Sequence, residues 1–410
     1  MWYFIKSALV ALGLLGVQFV LHATPPGQWI ERETYALLAD QLPLFRLDGP
    51  AVTVLDISHI SGGATPGRAD EQVTPRGELR TLLDAIAAER PLAVAIDIDF
   101  SPDHRGWKSR EDPAFFDHCL ALGQRGTPVR LGVYRGLREP PEGWLGAARF
   151  ADLAGGVWLP KTGSRRLPVS FHVDGVAGAA RPLPSLGAAL AGAAGPREPR
   201  KGLVAGLVEP LTIRRVPVEL VGPPLVVVEA LVNYSVIEQL SREQLVAASP
   251  RDIANYADRI RGRLVIVGDT RVGSSDDIFA IPGDPANRRG VLLHAALAHT
   301  LLVEPVHEFK HGVRWSIDIL LSALILAGVA LVAWLSRGKA DTHKVESWFV
   351  LGTVACVVLV GFAFIYFVRV LWLDFLLVGA FLLIHPSVGR WAQKLAQTVR
   401  TRWPRLRGAP

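Results

Sequence analysis

Cysteine is nearly absent. Cys119 and Cys356 are the only two in 410 residues, one in a globular stretch and one inside an apolar run. That placement excludes a disulfide framework and a cysteine-type metal site. No Gly-rich phosphate loop, kinase signature or cyclase motif occurs in the chain. Ser274, Ser275 and Asp276 could be combined with His294 on paper, but no Gly-x-Ser-x-Gly elbow introduces a nucleophile. His294 and His299 are five apart, about 140° around a helix, and cannot readily share one metal ion. Internal repeats, low-complexity tracts and long heptad runs are also missing, which excludes a coiled coil. These absences predict no enzyme, no metal and no cofactor.

Acidic residues are missing from 389–410, where six basic residues stand: Arg390, Lys394, Arg400, Arg402, Arg405 and Arg407. This tail accounts for the whole net charge of +6, and the rest of the chain is near balance. A basic segment directly after an apolar one marks a cytoplasmic membrane flank, so nucleic acid is not an expected partner. Hydrophobic residues make up 50% of the chain, more than a soluble protein normally carries. The surplus lies in four runs of about 20 residues, the length that crosses a hydrocarbon core as a helix. They are Trp2 to Leu21, Trp315 to Leu335, Trp348 to Val368 and Val370 to Val388. The link with Arg337, Lys339 and Lys344 belongs inside with the tail, which puts the long region between the first two runs outside. The first run is read as an uncleaved anchor, since Leu21-His22-Ala23 is a poor cleavage site.

The domain plan is therefore an N-terminal anchor (1–23), an extracytoplasmic domain (24–312), three transmembrane helices (313–388) and a basic cytoplasmic tail (389–410). The last two spans meet at Arg369 in a tight outer hairpin. Asp318, Arg369 and Asp374 then fall toward outer helix ends, either as a coupling relay or as a salt bridge that fixes packing. His307, Lys310, His311 and Arg314 precede the second span as a polar collar or a pH-sensitive one.

The outer region alternates strands and helices. Ala51 to Ile57 and Leu92 to Phe100 are strand-like, and Pro75-Arg76-Gly77 opens a helix with Leu79, Leu82, Leu83 and Ile86 at helical spacing. Asp112-Pro113 starts a second helix through Phe115, Phe116, Cys119 and Leu122, and Val129 to Tyr134 is a further strand. Leu183-Pro184-Ser185 caps a third helix. Val216 to Leu220 and Leu225 to Tyr234 read as strands, Ile253 to Ile260 as a helix, Leu264 to Gly268 as a buried strand and Gly290 to Val303 as a helix. Strands separated by helices predict an α/β domain, its mostly parallel sheet covered on both faces. Ligands of such sheets bind outside the carboxyl ends of the strands. Asp56, Asp97, Asp99, Asp269, Asp276 and Asp277 stand at or just past those ends, with His294 close enough to join them. Asp97 and Asp99, two apart on a strand, are expected on one face. The cluster is suited to a cation, an amine or a basic peptide, or else to tying loops through backbone N–H groups.

The chain resembles the CHASE2 family, the extracytoplasmic sensory domains of bacterial receptors. The likeness runs from about Trp29 to Glu308. It is carried by Ala51-Val-Thr-Val-Leu-Asp56, Ala95-Ile-Asp97-Ile-Asp99-Phe-Ser101-Pro102, Leu183-Pro184-Ser185-Leu186 and Val232-Asn233-Tyr234. Arg261-Gly262-Arg263-Leu-Val-Ile-Val-Gly268 follows, then Asp277-Ile278-Phe279, Pro282 and Gly290-Val-Leu-Leu-His294-Ala295, all in family order. Ser235-Val236 after Asn-Tyr, Ile281 before Pro282 and Leu292 before His294 depart from the pattern. The resemblance implies one helix before the domain, three after it, and a sensory role. A stand-alone form is expected, since about twenty residues follow the last expected span where the resemblance would place an output domain. These features predict a membrane receptor that detects an outer ligand or protein and signals through a separate cytoplasmic or membrane partner. The expected location is a bacterial inner membrane, with lipid contact, both termini inside and a possible homodimer. A non-signalling scaffold of an envelope complex is the alternative, and an outer-domain enzyme the third.

Overall fold

The computed structural model describes residues 51–335 apart from 59, 61–62, 66–67, 103–105, 135–142, 162–165, 174–181, 196–205, 216–224, 247–248, 271–276, 282–283 and 304. Beyond that range it describes Gly16, Thr24, Gly352, Ala355, Cys356, 359–363 and 370–371. Two compact units emerge, Phe45–Lys201 with Leu211–Pro305, and Met1–Leu44 with Gly202–Pro210 and Val306–Pro410.

The elements follow the chain in a regular alternation. Strand β1 (Val52–Asp56) precedes the hairpin β2 (Gly63–Thr65) and β3 (Arg68–Val73). Helix α1 (Arg76–Ala88) and strand β4 (Ala93–Asp97) follow, then helix α2 (Asp112–Gln124) with strands β5 (Val129–Val133) and β6 (Ala154–Gly156). Next come β7 (Arg166–Val173), β8 (Leu183–Pro184), helix α3 (Leu186–Ala193), β9 (Val208–Pro210), β10 (Ile213–Arg215) and β11 (Leu225–Leu231). Helix α4 (Ser235–Arg242) and β12 (Leu245–Val246) lead to the 3-10 turns Pro250–Tyr256, which run into helix α5 (Ala257–Ile260). Strand β13 (Leu264–Gly268), the hairpin β14 (Ile278–Ile281) and β15 (Asp284–Arg289), and helix α6 (Gly290–Val303) complete this region. Strand β16 (His307–Phe309), helix α7 (His311–Leu335) and strand β17 (Val370–Leu371) come last.

In the larger unit six strands form one sheet in the order β12-β1-β13-β4-β5-β6, every pairing parallel. Parallel strands need crossovers, and the helices supply them on both faces. Val52, Val54, Ala93, Ala95, Leu264 and Ile266 turn to the face covered by α3, α4 and α6. The alternate residues Leu55, Val94, Ile96, Val265 and Val267 turn to the face covered by α1 and α2. The near-continuous apolar character of these strands is what two covered faces demand.

Local chemistry sets the helix ends. Pro75, whose ring fixes φ, stands before α1, which buries Leu79, Leu82, Leu83 and Ile86 on one stripe as their spacing predicts. Ser185 caps α3 by accepting from the Ala188 N–H at 3.4 Å. The expected helix Ile253 to Ile260 divides instead into 3-10 turns and the single turn α5. A second sheet, β10-β11-β7-β8, is antiparallel throughout. The expected strand Val216 to Leu220 lies outside the described residues.

In the smaller unit β16 pairs antiparallel with β9 and parallel with β17. Val370, expected to begin a helical span, is thus in a strand opposite His307. Among the described residues no helix is long and apolar enough to cross a membrane. The first expected span and most of the last two lie outside the described residues, and Trp315 to Leu335 falls within α7. Asp318 of α7 is buried and has partners. Arg369 and Asp374 lie outside the described residues.

Candidate functional site at the carboxyl edge

The parallel register brings three strand ends into line. Asp56 of β1 stands opposite Gly268 of β13, and Gly268 opposite Asp97 of β4. Partners in a parallel ladder share a face, so Asp56 and Asp97 both lie toward α6, with Gly268 between them. Glycine is required there for space: a Cβ at 268 would come within 2.8 Å of Val291 Cγ2 and 3.2 Å of the Asp97 Cβ. The first turn of α6 therefore packs directly against the strand ends.

The carboxylates divide by what they hold. Asp56 ties two loops: one oxygen accepts from the Ser58 and Thr270 N–H groups at 3.0 and 3.1 Å, the other from the Ser58 hydroxyl at 2.8 Å. Asp99 does not share the face of Asp97. The strand ends at Asp97 and the chain bends at Ile98, so alternation no longer governs the next residues. Asp99 accepts instead from Lys108 Nζ at 2.9 Å, from the Ser101 N–H and hydroxyl, and from the Tyr134 N–H at 3.2 Å. Burial alone would raise its carboxyl, but the Lys108 ammonium and the Ser101 hydrogen bonds outweigh that and hold it below its ordinary value. Asp269, just past β13, is exposed and has partners of its own. Asp276 lies outside the described residues.

Asp97, Asp277 and His294 differ from these. Desolvation pushes the partly buried Asp97 carboxyl up to about 7. Asp277 is raised to about 6, by burial first and then by the neighbouring Asp97 charge, with His294 pulling the other way. One Asp277 oxygen accepts from the Gly290 N–H at 3.2 Å, at the mouth of α6. The other would lie 2.4 Å from a Cβ on Gly290, so glycine is needed here as well. His294, one turn further along α6, is fully buried, and burial lowers it to about 4. Its Nε2 lies 3.3 Å from the Val157 carbonyl, while Nδ1 is buried with no hydrogen-bond partner among the described residues. His299 takes a structural role, accepting from the Ala51 N–H at 3.1 Å through Nδ1.

A charged pair absent from the sequence reading lies on the opposite face. Arg76 Nε donates to Asp112 Oδ1 at 2.7 Å, both side chains fully enclosed, with the guanidinium 4.2 Å from the Phe100 ring centre. Asp112 also accepts from the Lys108 and Ser109 N–H groups at 2.9 and 2.8 Å. Only the Arg76 position at a helix start hinted at it. Among the described residues no group of three or more His, Cys, Asp or Glu is placed to hold a metal ion.

Among known proteins, no curated protein and no solved structure matches the chain. A family model does: that of the CHASE2 domain, over residues 10–335. The match takes in the whole parallel sheet, the Asp97–Asp277–His294 edge and α7, and the chain belongs to the CHASE2 domain family, a family of sensory domains.

Proposed function

We propose that the protein is a membrane-bound receptor whose outer CHASE2 domain detects a stimulus at the carboxyl edge of its parallel sheet and signals through a separate partner. The observation that carries this reading is the CHASE2 match over 10–335, which encloses an edge where acidic groups stand without the ties that occupy Asp56 and Asp99. Four apolar runs and the basic tail favour a bacterial inner membrane, with both termini inside and the domain outside. Ile319, Leu320, Leu324, Leu331 and Trp334 of α7, each more than half exposed, suit contact with lipid or with neighbouring spans. The β9-β16-β17 sheet favours the same topology, since it joins the segment before α7 to the turn expected between the last two spans. Transmission requires two arrangements of the membrane segment that the outer event favours unequally.

The test is crosslinking of the intact protein in cells, with mass spectrometry of what is joined to the 336–344 loop and the tail. Recovery of a kinase, cyclase or regulator, lost on deleting 389–410, supports the receptor. Recovery of envelope or transport proteins alone, through the outer domain, overturns it in favour of a scaffold.

A further inference from the structure

We propose that Asp97, Asp277 and His294 form a recognition site for the ammonium group of a small primary amine. The proposal rests on the receptor reading and names the chemistry of its ligand.

The argument is one of donors and acceptors. The Val157 carbonyl can only accept, so His294 Nε2 carries the ring proton in that 3.3 Å contact. Nδ1 of the neutral ring is then a lone-pair acceptor, buried and with no donor among the described residues. Asp277 has committed one oxygen to the Gly290 N–H and keeps the other. The Asp97 carboxyl makes no hydrogen bond or ion pair among the described residues, and burial alone perturbs it. Its Cβ is fixed beside Gly268 and the first turn of α6. Asp97 and Asp277 feel each other's charge, and so do Asp277 and His294. Acceptor capacity therefore gathers at one end of α6: His294 Nδ1 is buried without a donor, Asp277 keeps one oxygen uncommitted and Asp97 keeps both.

An unsatisfied buried acceptor is costly, so a site of this kind is completed by what it binds. An ammonium group carries three N–H donors and one positive charge, which answers the three acceptors and offsets part of the carboxylate charge. A divalent metal would need its ligand atoms at about 2.0–2.2 Å, whereas each ammonium N–H donates to an acceptor at about 2.8 Å, which suits a wider triangle. Nearby protein cations do not complete the site. Lys161 lies 4.3 Å over the Phe279 ring and donates to the Ile278 carbonyl, and Arg289, though it lowers Asp277 slightly, has other partners. Asp56 and Asp99, the other carboxylates of the edge, are held by their own donors.

The experiment uses the full chain in phosphatidylcholine nanodiscs, with calorimetric titration of n-butylamine, 1,4-diaminobutane and the trimethylammonium counterpart of butylamine. Primary amines are expected to bind and raise the unfolding temperature, and the trimethylated probe, lacking N–H donors, to bind at least about tenfold more weakly. Asp97→Asn is expected to weaken the primary amines by about tenfold or more while still unfolding cooperatively. On the unaltered chain, binding weakens between about pH 8 and about pH 5.5 as Asp97 and Asp277 take up protons. No binding at about 10 mM amine, equal binding of the trimethylated probe, or affinity independent of pH overturns the proposal. Stabilisation by zinc or magnesium alone overturns it too. Amine binding with no signalling partner recovered by crosslinking keeps the site and removes the receptor. A recovered partner with no amine binding does the reverse.

Discussion

The two faces of the carboxyl edge handle buried charge in opposite ways. Toward α1 and α2, Arg76, Asp112, Lys108 and Asp99 are knit together by short hydrogen bonds, and Phe100 and Phe115 lie against the guanidinium. Toward α6, His294 is as deeply buried, and the partly buried Asp97 and Asp277 beside it have acceptors left over. The first arrangement stabilises the fold. The second opposes it, and a protein carries such a cost where something else will use the groups.

Breaking the paired side should have the largest effect. Asp112→Ala strips a buried guanidinium of its partner and frees two backbone N–H groups, and is expected to cost about 3–5 kcal/mol in denaturant unfolding of the whole chain. Asp97→Asn should do the opposite and stabilise the protein near neutral pH, by an amount on the order of a few kcal/mol. The sign follows from linkage. A carboxyl raised to about 7 binds more protons folded than unfolded, so its contribution falls as pH rises from about 4 to about 7. His294, lowered to about 4, acts in the other direction, since stability is lost as pH falls from about 6.5 toward 4. Removing Asp97 should therefore abolish the fall between about pH 6 and about pH 7, leaving below that the opposed contributions of Asp277, raised to about 6, and His294. A curve that still falls toward neutral pH would erase the contrast between the faces.

A smaller effect is expected for Asp99→Asn, which weakens a charge-assisted contact to the partly exposed Lys108, about 1.5–3 kcal/mol at most. Asp99 is held below its ordinary value, so this loss should appear above about pH 4 and vanish as the wild-type carboxyl protonates. Gly290→Ala sharpens the other side. Its Cβ would displace the free oxygen of Asp277, at about 1–3 kcal/mol, and amine binding should fall further than stability does. The thiol of Cys119, raised by burial, should resist alkylation until the domain unfolds.

Much of this frame was legible because each strand and its helix obey one rule over a short stretch. Val-Thr-Val-Leu-Asp and Ala-Val-Ala-Ile-Asp announce buried strands, Pro75-Arg76 a helix start and Gly290 a helix that begins where the spacing places it. What escaped depended on chain segments far apart. Strand β7 holds Pro168 and polar residues within an antiparallel sheet, and nothing in its own sequence points to its partner β11. The Arg76–Asp112 pair needs two helix starts to meet across 36 positions. Asp99 was placed on the wrong face because the strand stops at Asp97, two residues before the position to which alternation was carried. Asp97, Asp277 and His294 were candidates from their positions alone, but only the surrounding hydrogen bonds separate them from Asp56 and Asp99.

The order of strands has a consequence for how the domain is made. Strand β13 lies between β1 and β4, so these two, the first strands of the parallel sheet in chain order, touch through a strand synthesised about 200 residues after β1. Pairings at such separation form slowly, since loop closure must be met before the contacts reward it. During synthesis the earlier strands wait with unpaired edges, and chaperone protection matters most in that interval. The edge that aligns Asp56, Gly268 and Asp97 comes into being only when β13 is threaded between its neighbours. A chain cut short before β13 has its first helices and strands but no place for a ligand.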